Sequence, residues 1–477
     1  MAVNIPGLIA VIVFYILILA TGIWASRKAK KEEKKCAGNK SEVAMVGGRN
    51  MNLWVGIFTV TATWVGGGYI MGTAELVYDP SKGLLWVHGL VAFAFNLFFG
   101  GFFFAKPMRD NNYVTMIDPF QLRYGNAWTV MLCIPAILSE VFWSACTLAA
   151  LGGTMNIILG IAPYQSILIS ASVAILYTIM GGLYSVAYTD VIQLFLIVVS
   201  LWLCVPFLML NPASTDIVNT AVNNVYQAPW LGKIDLTDLW RWLDDFFLLH
   251  LCPVYISIAG IGAIAAVVMS SMDSTLLSSS SMFTYNIYKK IIRKKASDRE
   301  LVWVIKISVL FFGVLGMCLA MTTSSVYGLM FMSEELIYCT IFPQLVSVLF
   351  IPVSNGYGSL VGYVVGVTLR LLGGDSFFKI PPVIPYPGCT LVDGVYVQLF
   401  PFKTLTMLLS LFSIVSVSYL TSLLFKRGLL PKKWDIFDVS KKTDIILKDV
   451  ILKESDKETE LSPINKEDDV GGIENQA

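Results

Sequence analysis

Apolar residues in this chain fall in long unbroken runs, not in the alternations of half-buried strands or the stripes of amphipathic helices. Eleven runs have about the length a helix needs to cross a ~30 Å hydrocarbon core. They cover residues 7–26, 52–76, 83–105, 127–150, 163–181, 188–210, 238–272, 304–323, 327–352, 357–373 and 403–425. The pattern predicts an all-α polytopic membrane protein, and an odd number of spans puts its termini on opposite sides. Over 434–477 the apolar runs stop and Asp, Glu, Lys and Ser dominate, a composition too polar to bury a core. The expected organisation is a transmembrane domain over 1–433 and a disordered cytosolic tail over 434–477.

Two runs depart from plain spans. TATWVGGGYIMGTAE places Gly66, Gly67 and Gly68 at mid-membrane, where each glycine costs roughly 1 kcal/mol relative to alanine in a helix. A helix break is expected there. Unwound backbone at membrane depth persists only when buried in protein or lining an aqueous cavity, and in secondary transporters such breaks hold ion and substrate. Close helix packing through small residues is the competing account. The other departure is 238–272, whose 35 residues would make one helix roughly 52 Å long, with Asp244, Asp245, His250 and Pro253 near its middle. Either its first part lies at the membrane surface or pieces of two helices meet in it.

Charge sharpens this picture. The 477 residues carry 34 Lys+Arg and 33 Asp+Glu, 14% charged against 56% hydrophobic, with a mean hydropathy of +0.69. A soluble domain usually carries nearer ~25% charge, so a soluble enzyme is disfavoured. The first run follows the uncharged MAVNIP and precedes RKAKKEEKK, the reverse of a signal peptide, which predicts an uncleaved helix with its N-terminus outside. Under that orientation 21 basic residues fall in cytosolic loops and three to six outside, as the positive-inside rule requires. Nucleic acid is not an expected partner; membrane lipid and a small molecule are. With His88 and His250 the only histidines and the eight cysteines scattered, neither a metal-ligand spacing nor a nucleophile–base arrangement can be read.

Inside the membrane, Glu140 and Trp143 stand at i and i+3 on one helix face. A carboxylate beside an indole suits an organic cation, since a ring face attracts charge without needing a donor on the ligand, and Trp64 beside the glycines would add a second wall. The alternative is that Glu140 satisfies a neighbouring helix and the tryptophans pack. VVMSSMDSTLLSSSS, residues 267–281, offers the hard oxygen ligands that a small cation such as sodium prefers, although membrane hydroxyls commonly bond back to the i−4 carbonyl.

Several strings taken together, TATWVGGGYIMGTAELVY, FFAKPMRDNNYVTMIDPFQ, GGLYSVAYTDVIQLF, LCPVYISIAGIGAIAAVVMSS, SMFTYNIYKK and FPFKTLTMLLS, resemble the sodium:solute symporter family in its choline-importing branch, over about residues 5–440. The resemblance implies a fold of thirteen helices around a five-plus-five inverted repeat, here with about 11. It implies an inward sodium gradient driving choline uptake for acetylcholine synthesis, with chloride as an optional further ion, at the plasma membrane and at presynaptic and vesicle membranes. Matched residue by residue, it assigns sodium to Ala62, Val65, Val267, Ser270 and Ser271, and choline to Trp64 and Trp143 with Asp244 as an acidic partner. Three features depart from the family pattern: Val267 stands where the pattern has a small residue, Met330 stands for a tryptophan, and Asn39-Lys40-Ser41, the only glycosylation sequon, falls on the cytosolic side. The largest departure is a gap between DDFFLLH and LCPVYIS, near His250 and Leu251, where the family carries the rest of a broken helix and the next span. A chain so shortened would still satisfy the charge rule. It leaves open a non-transporting product of the same locus and a symporter for another solute.

Overall fold

The computed structural model describes residues 13, 16, 20–24, 27, 52–64, 66–79, 82–88, 95–210, 232, 234, 238–251, 261–323, 325–392, 394–437 and 439. Its longer helices are α1 (Leu53–Trp64), α2 (Gly67–Tyr78), α3 (Asn126–Leu159), α4 (Pro163–Leu210), α5 (Leu239–Leu251) and α6 (Ile261–Met282), followed by α7 (Asp298–Thr322), α8 (Val326–Leu336), α9 (Phe342–Phe350), α10 (Gly356–Leu372) and α11 (Phe402–Lys426). Among the described residues four helices are long and apolar enough to cross a membrane, or five if α1 and α2 count as one bent span.

The burial pattern is that of a protein solvated by lipid. Small and polar residues lie inside, including Ser139, Ser144, Thr147, Ser270, Ser271 and Asp273, while Phe98, Phe102, Trp202, Leu203, Trp303, Phe311 and Phe412 stand exposed. An apolar surface of that extent could not face water. The core forms where α3 and α8 meet α4 and α6, through Leu132, Cys146, Leu148, Ala171, Leu276, Leu329 and Met330.

Three outcomes differ from the expected spans. In the overlong segment 238–272 the described residues form α5 and the first part of α6, and residues 252–260 between them lie outside the described set. The runs 163–181 and 188–210 fall in one 48-residue helix, α4; straight, it would be about 72 Å long, over twice the hydrocarbon thickness, so it cannot be one simple span. The run 83–105 holds a short turn at Leu84–Trp86 and a π-helical stretch, Gly100–Ala105. Of the first span only scattered residues are described; Trp24 packs edge-on against Tyr188, centroids 5.6 Å apart.

Helix starts follow local chemistry. Ser297 accepts from the Glu300 amide ahead of α7, Ser325 from Gly328 ahead of α8, and the Asn355 side chain from Tyr357 and Gly358 ahead of α10, each satisfying amides that the first turn leaves orphaned. At the end of α9 the Arg123 guanidinium donates to the carbonyls of Val348, Ile351, Pro352 and Ser354. On the same end Asp118 accepts from Lys290 at 2.8 Å and Asn286 at 3.1 Å. The chain beyond α11 turns back here: Phe437 packs on Tyr357, centroids 4.8 Å apart, and Ile436 N–H donates to the Tyr357 hydroxyl at 2.9 Å. The rest of the expected tail, residues 438 and 440–477, lies outside the described residues.

Helices α10 and α11 approach so closely that a Cβ on Gly358 would sit 2.3 Å from the Ile414 carbonyl oxygen and 2.0 Å from Ser418 Oγ. Because one of those atoms is backbone, Gly358→Ala should destabilise the protein by about 1–3 kcal/mol. A fall in melting temperature in detergent would show it, and an unchanged melting temperature would mean the two helices can part without cost.

Candidate functional site

Helix α1 ends at Trp64 and α2 starts at Gly67, their axes 43° apart. Gly66 is the extended N-cap residue of α2, and its carbonyl accepts from Tyr69 and Ile70 at 3.2 and 3.3 Å. The break is therefore shorter than the three-glycine string: Gly67 and Gly68 already belong to α2. Gly66 is needed because of what faces it. A Cβ there would lie 2.9 Å from Ser271 Oγ and 3.7 Å from Trp143 Cζ2.

The Ser271 hydroxyl donates to the Thr63 carbonyl at 2.7 Å, one of the carbonyls freed because α1 stops at the next residue. One turn further along α6, Ser274 exchanges a hydrogen bond with the Thr63 hydroxyl at 3.0 Å. Ser270, on the adjoining face, donates to Asp190 Oδ1 at 2.5 Å. Ala62 and Asp190 are fully buried, and Trp143 is 4% exposed. The structure thus brings Ala62, Gly66, Trp143, Ser270 and Ser271 to one junction of α1, α2, α3, α4 and α6. Val65 lies outside the described residues, as do the side chains of Trp64 and Val267.

Two expected substrate residues are placed elsewhere. Glu140 accepts from Ser278 Oγ at 2.7 Å, and Ser278 stands two turns past Ser271, roughly 10 Å along α6. The carboxylate thus ties α3 to α6, the contact that the sequence offered as the alternative to ligand binding. Asp244 is 3% exposed and caps α11 from α5. Its oxygens accept from the Lys403 amide at 3.2 Å, the Thr404 amide at 2.8 Å and the Thr404 hydroxyl at 2.5 Å. A carboxylate holding three donors at a helix start is satisfied where it stands.

Sequence reasoning gave no role to Asp190, whose buried position and bond to Ser270 now put it at the junction. Its second oxygen, Oδ2, finds no hydrogen-bonding side chain or backbone group among the described residues. The available signal was the carboxylate in an apolar run, which by default marks an ion path. Also overlooked was a charge cluster next to Asp244. Arg370 pairs with Glu335 at 2.6 Å and Asp375 at 2.5 Å, and Lys403 with Asp245 at 3.4 Å and Glu335 at 3.7 Å. These groups line a cavity of about 260 Å³ between α2, α5, α8, α10 and α11.

A model of the sodium:solute symporter family matches residues 45–236 and 248–366. High-affinity choline transporter 1 of Torpedo marmorata is 44% identical, covering 98% of this chain and 94% of its own length. Its human counterpart is 44% identical over 92% of this chain and 89% of its own. The sodium/proline symporter of Haemophilus influenzae is 24% identical over 59% of this chain. Among solved structures, the substrate-bound outward-open state of a Na+-coupled sialic acid symporter superposes with a TM-score of 0.64, covering 87% of this chain at 15% identity, which carries the symporter fold. The Torpedo alignment runs over 552 positions against the 477 residues here, so at least 75 positions have no residue of this chain opposite them. The family match breaks between 236 and 248, beside the expected junction. Matched in family model, in near full-length relatives and in fold, this chain belongs to the sodium:solute symporter family.

Proposed function

We propose that the protein is a sodium-coupled choline importer of the plasma membrane, serving acetylcholine synthesis, with its N-terminus outside and its C-terminus in the cytosol. The observation that carries the substrate is the 44% identity to high-affinity choline transporters across nearly the whole of both chains. In this reading sodium is taken up at the end of α1, where Ser270, Ser271 and the carbonyls freed around Ala62 and Val65 replace its water, with the Val267 carbonyl and Asp190 completing the set. Hard oxygen donors of this kind suit a small cation that must be stripped of water and later released. Trp143, beside the same break, takes the trimethylammonium head. That group has no hydrogen to donate, so an indole face contributes where a hydrogen-bond acceptor would gain nothing.

Coupling follows from shared geometry. Ser271 links α6 to the last turn of α1, and Gly66 brings the start of α2 to the same serine and to Trp143. An ion that draws Ser271 and the α1 carbonyls together also fixes the distance between the break and the indole.

Cells expressing the chain should accumulate labelled choline in sodium medium and not in lithium medium. Trp143→Ala should raise the half-saturating choline concentration about 30-fold, the scale of one desolvated cation–π contact of about 2 kcal/mol, and Trp143→Phe should recover part of it. Uptake no higher than in vector controls would sink the proposal. The gap of at least 75 aligned positions favours a second reading, a chain that binds choline without carrying it; saturable binding to purified protein with no uptake would establish that one.

A further inference from the structure

The cavity between α2, α5, α8, α10 and α11 repeats one arrangement along its walls. Four of its aromatic rings each face a cation of the chain itself: Lys82 stands 6.0 Å from the Tyr327 ring and Lys403 5.3 Å from Phe331. Arg241 lies 5.5 Å from Trp86 and Arg370 5.8 Å from Phe402. Six carboxylates and four cations line the same space. Rings that already hold charge at these distances are placed to hold charge.

The four cations are not held alike. Arg370 is held by carboxylates at 2.6 and 2.5 Å and Lys403 by two at 3.4 and 3.7 Å, with side chains only 12% and 17% exposed. Lys82 has Asp79 at 3.8 Å and is 31% exposed, an arrangement that contributes little. The ring it faces is well anchored. Glu75 on α2 accepts from Ser325 Oγ at 2.7 Å and from the Tyr327 amide at 3.1 Å, fixing the first turn of α8. Glu75 lies nine residues beyond Gly66, about 13 Å along α2, so the cavity is set apart from the Trp143 junction and reached along the same helix.

We infer that this cavity is a second quaternary-ammonium site, in which Lys82 is a tethered competitor for the face of Tyr327. An incoming trimethylammonium head displaces the lysine from the ring, and the excess of carboxylates balances the added charge. Lysine gives up little on leaving, because water takes over its three donors. The quaternary head gains more from the ring than from water, since it has no donor to hydrate. The ligand class rests on the choline reading above; the site itself rests on the rings and charges.

Equilibrium binding of labelled choline to the purified full chain tests this. With Trp143→Ala disabling the inner junction, a weaker saturable component should remain. Adding Lys82→Met should tighten it roughly two- to five-fold, the worth of a partly exposed cation–π contact, and Lys82→Glu should tighten it further. Adding Tyr327→Leu instead should remove it. Because Tyr327 also packs on α2 at Gly72, the two lysine variants supply a test that leaves the packing untouched. Loss of all saturable binding in Trp143→Ala, or residual binding indifferent to Lys82→Met and Lys82→Glu, would overturn the inference. Tetramethylammonium as a second probe separates the two claims: tetramethylammonium binding that responds to Lys82→Met, without choline binding in the unmodified protein, would defeat the choline reading and keep the cavity site.

Discussion

Arg370→Met should lower stability by about 3–5 kcal/mol, the largest loss expected of any single substitution considered for this protein. Arg370 bonds Glu335 at 2.6 Å, Asp375 at 2.5 Å and the Gly374 carbonyl at 2.8 Å, and none of the three charged side chains is more than 12% exposed. Removing the guanidinium takes from two desolvated carboxylates the cation they share, leaving Lys403 at 3.7 Å from Glu335. The cost is that of stranded charge, not of a lost attraction. Glu335→Gln added to Arg370→Met should therefore recover part of the loss, although it removes a second partner. Thermal unfolding of the single and double variants in detergent would read this directly. A double variant at least as unstable as Arg370→Met alone would show that Glu335 is not a desolvated charge.

The second large effect concerns sodium. Ser271→Ala should raise the half-saturating sodium concentration about ten-fold, the equivalent of 1.4 kcal/mol, while leaving choline affinity at saturating sodium nearly unchanged. In the proposed sodium site the variant removes one oxygen ligand, and it leaves the Thr63 carbonyl without its 2.7 Å donor. Ser274→Ala is the matched control, because Ser274 also joins α6 to Thr63, through the side chain at 3.0 Å, and stands one turn away. If both variants shift the sodium dependence equally, the serine is a helix link and not an ion ligand.

How far each residue could be read depended on what kind of information it carried. The adjacent hydroxyls of Ser270 and Ser271 are legible in sequence, since residues at fixed offsets on one helix stay neighbours in any packing of that helix. That Ser271 meets the Thr63 carbonyl, 208 residues away at the end of α1, could not be read in this way. Nor could the partners of Glu140 and Asp244. A buried carboxylate must find donors, but which donors is settled by helices far apart in the chain: Ser278 is 138 residues from Glu140, and Thr404 is 160 from Asp244. The same holds for Asp190, whose partner Ser270 is 80 residues away, and for the cavity, whose rings and cations come from α5, α8, α10 and α11 and the segment after α2.

What the sequence determined by itself is the solvent. Apolar runs of span length, their basic flanks and the glycine break are local properties, because each helix satisfies its own backbone in lipid, and so membrane residence and the site of the break could be read residue by residue. What the tertiary structure decided is the pairing of polar groups within that bundle. It made Asp244 a cap and Glu140 a helix tie, set Ser271 against Gly66 and Trp143, and assembled a charged, ring-lined cavity that no one segment of the chain contains. The reason is physical: a desolvated charge gains only from partners within a few ångströms, and in a helical membrane protein such partners come from other helices.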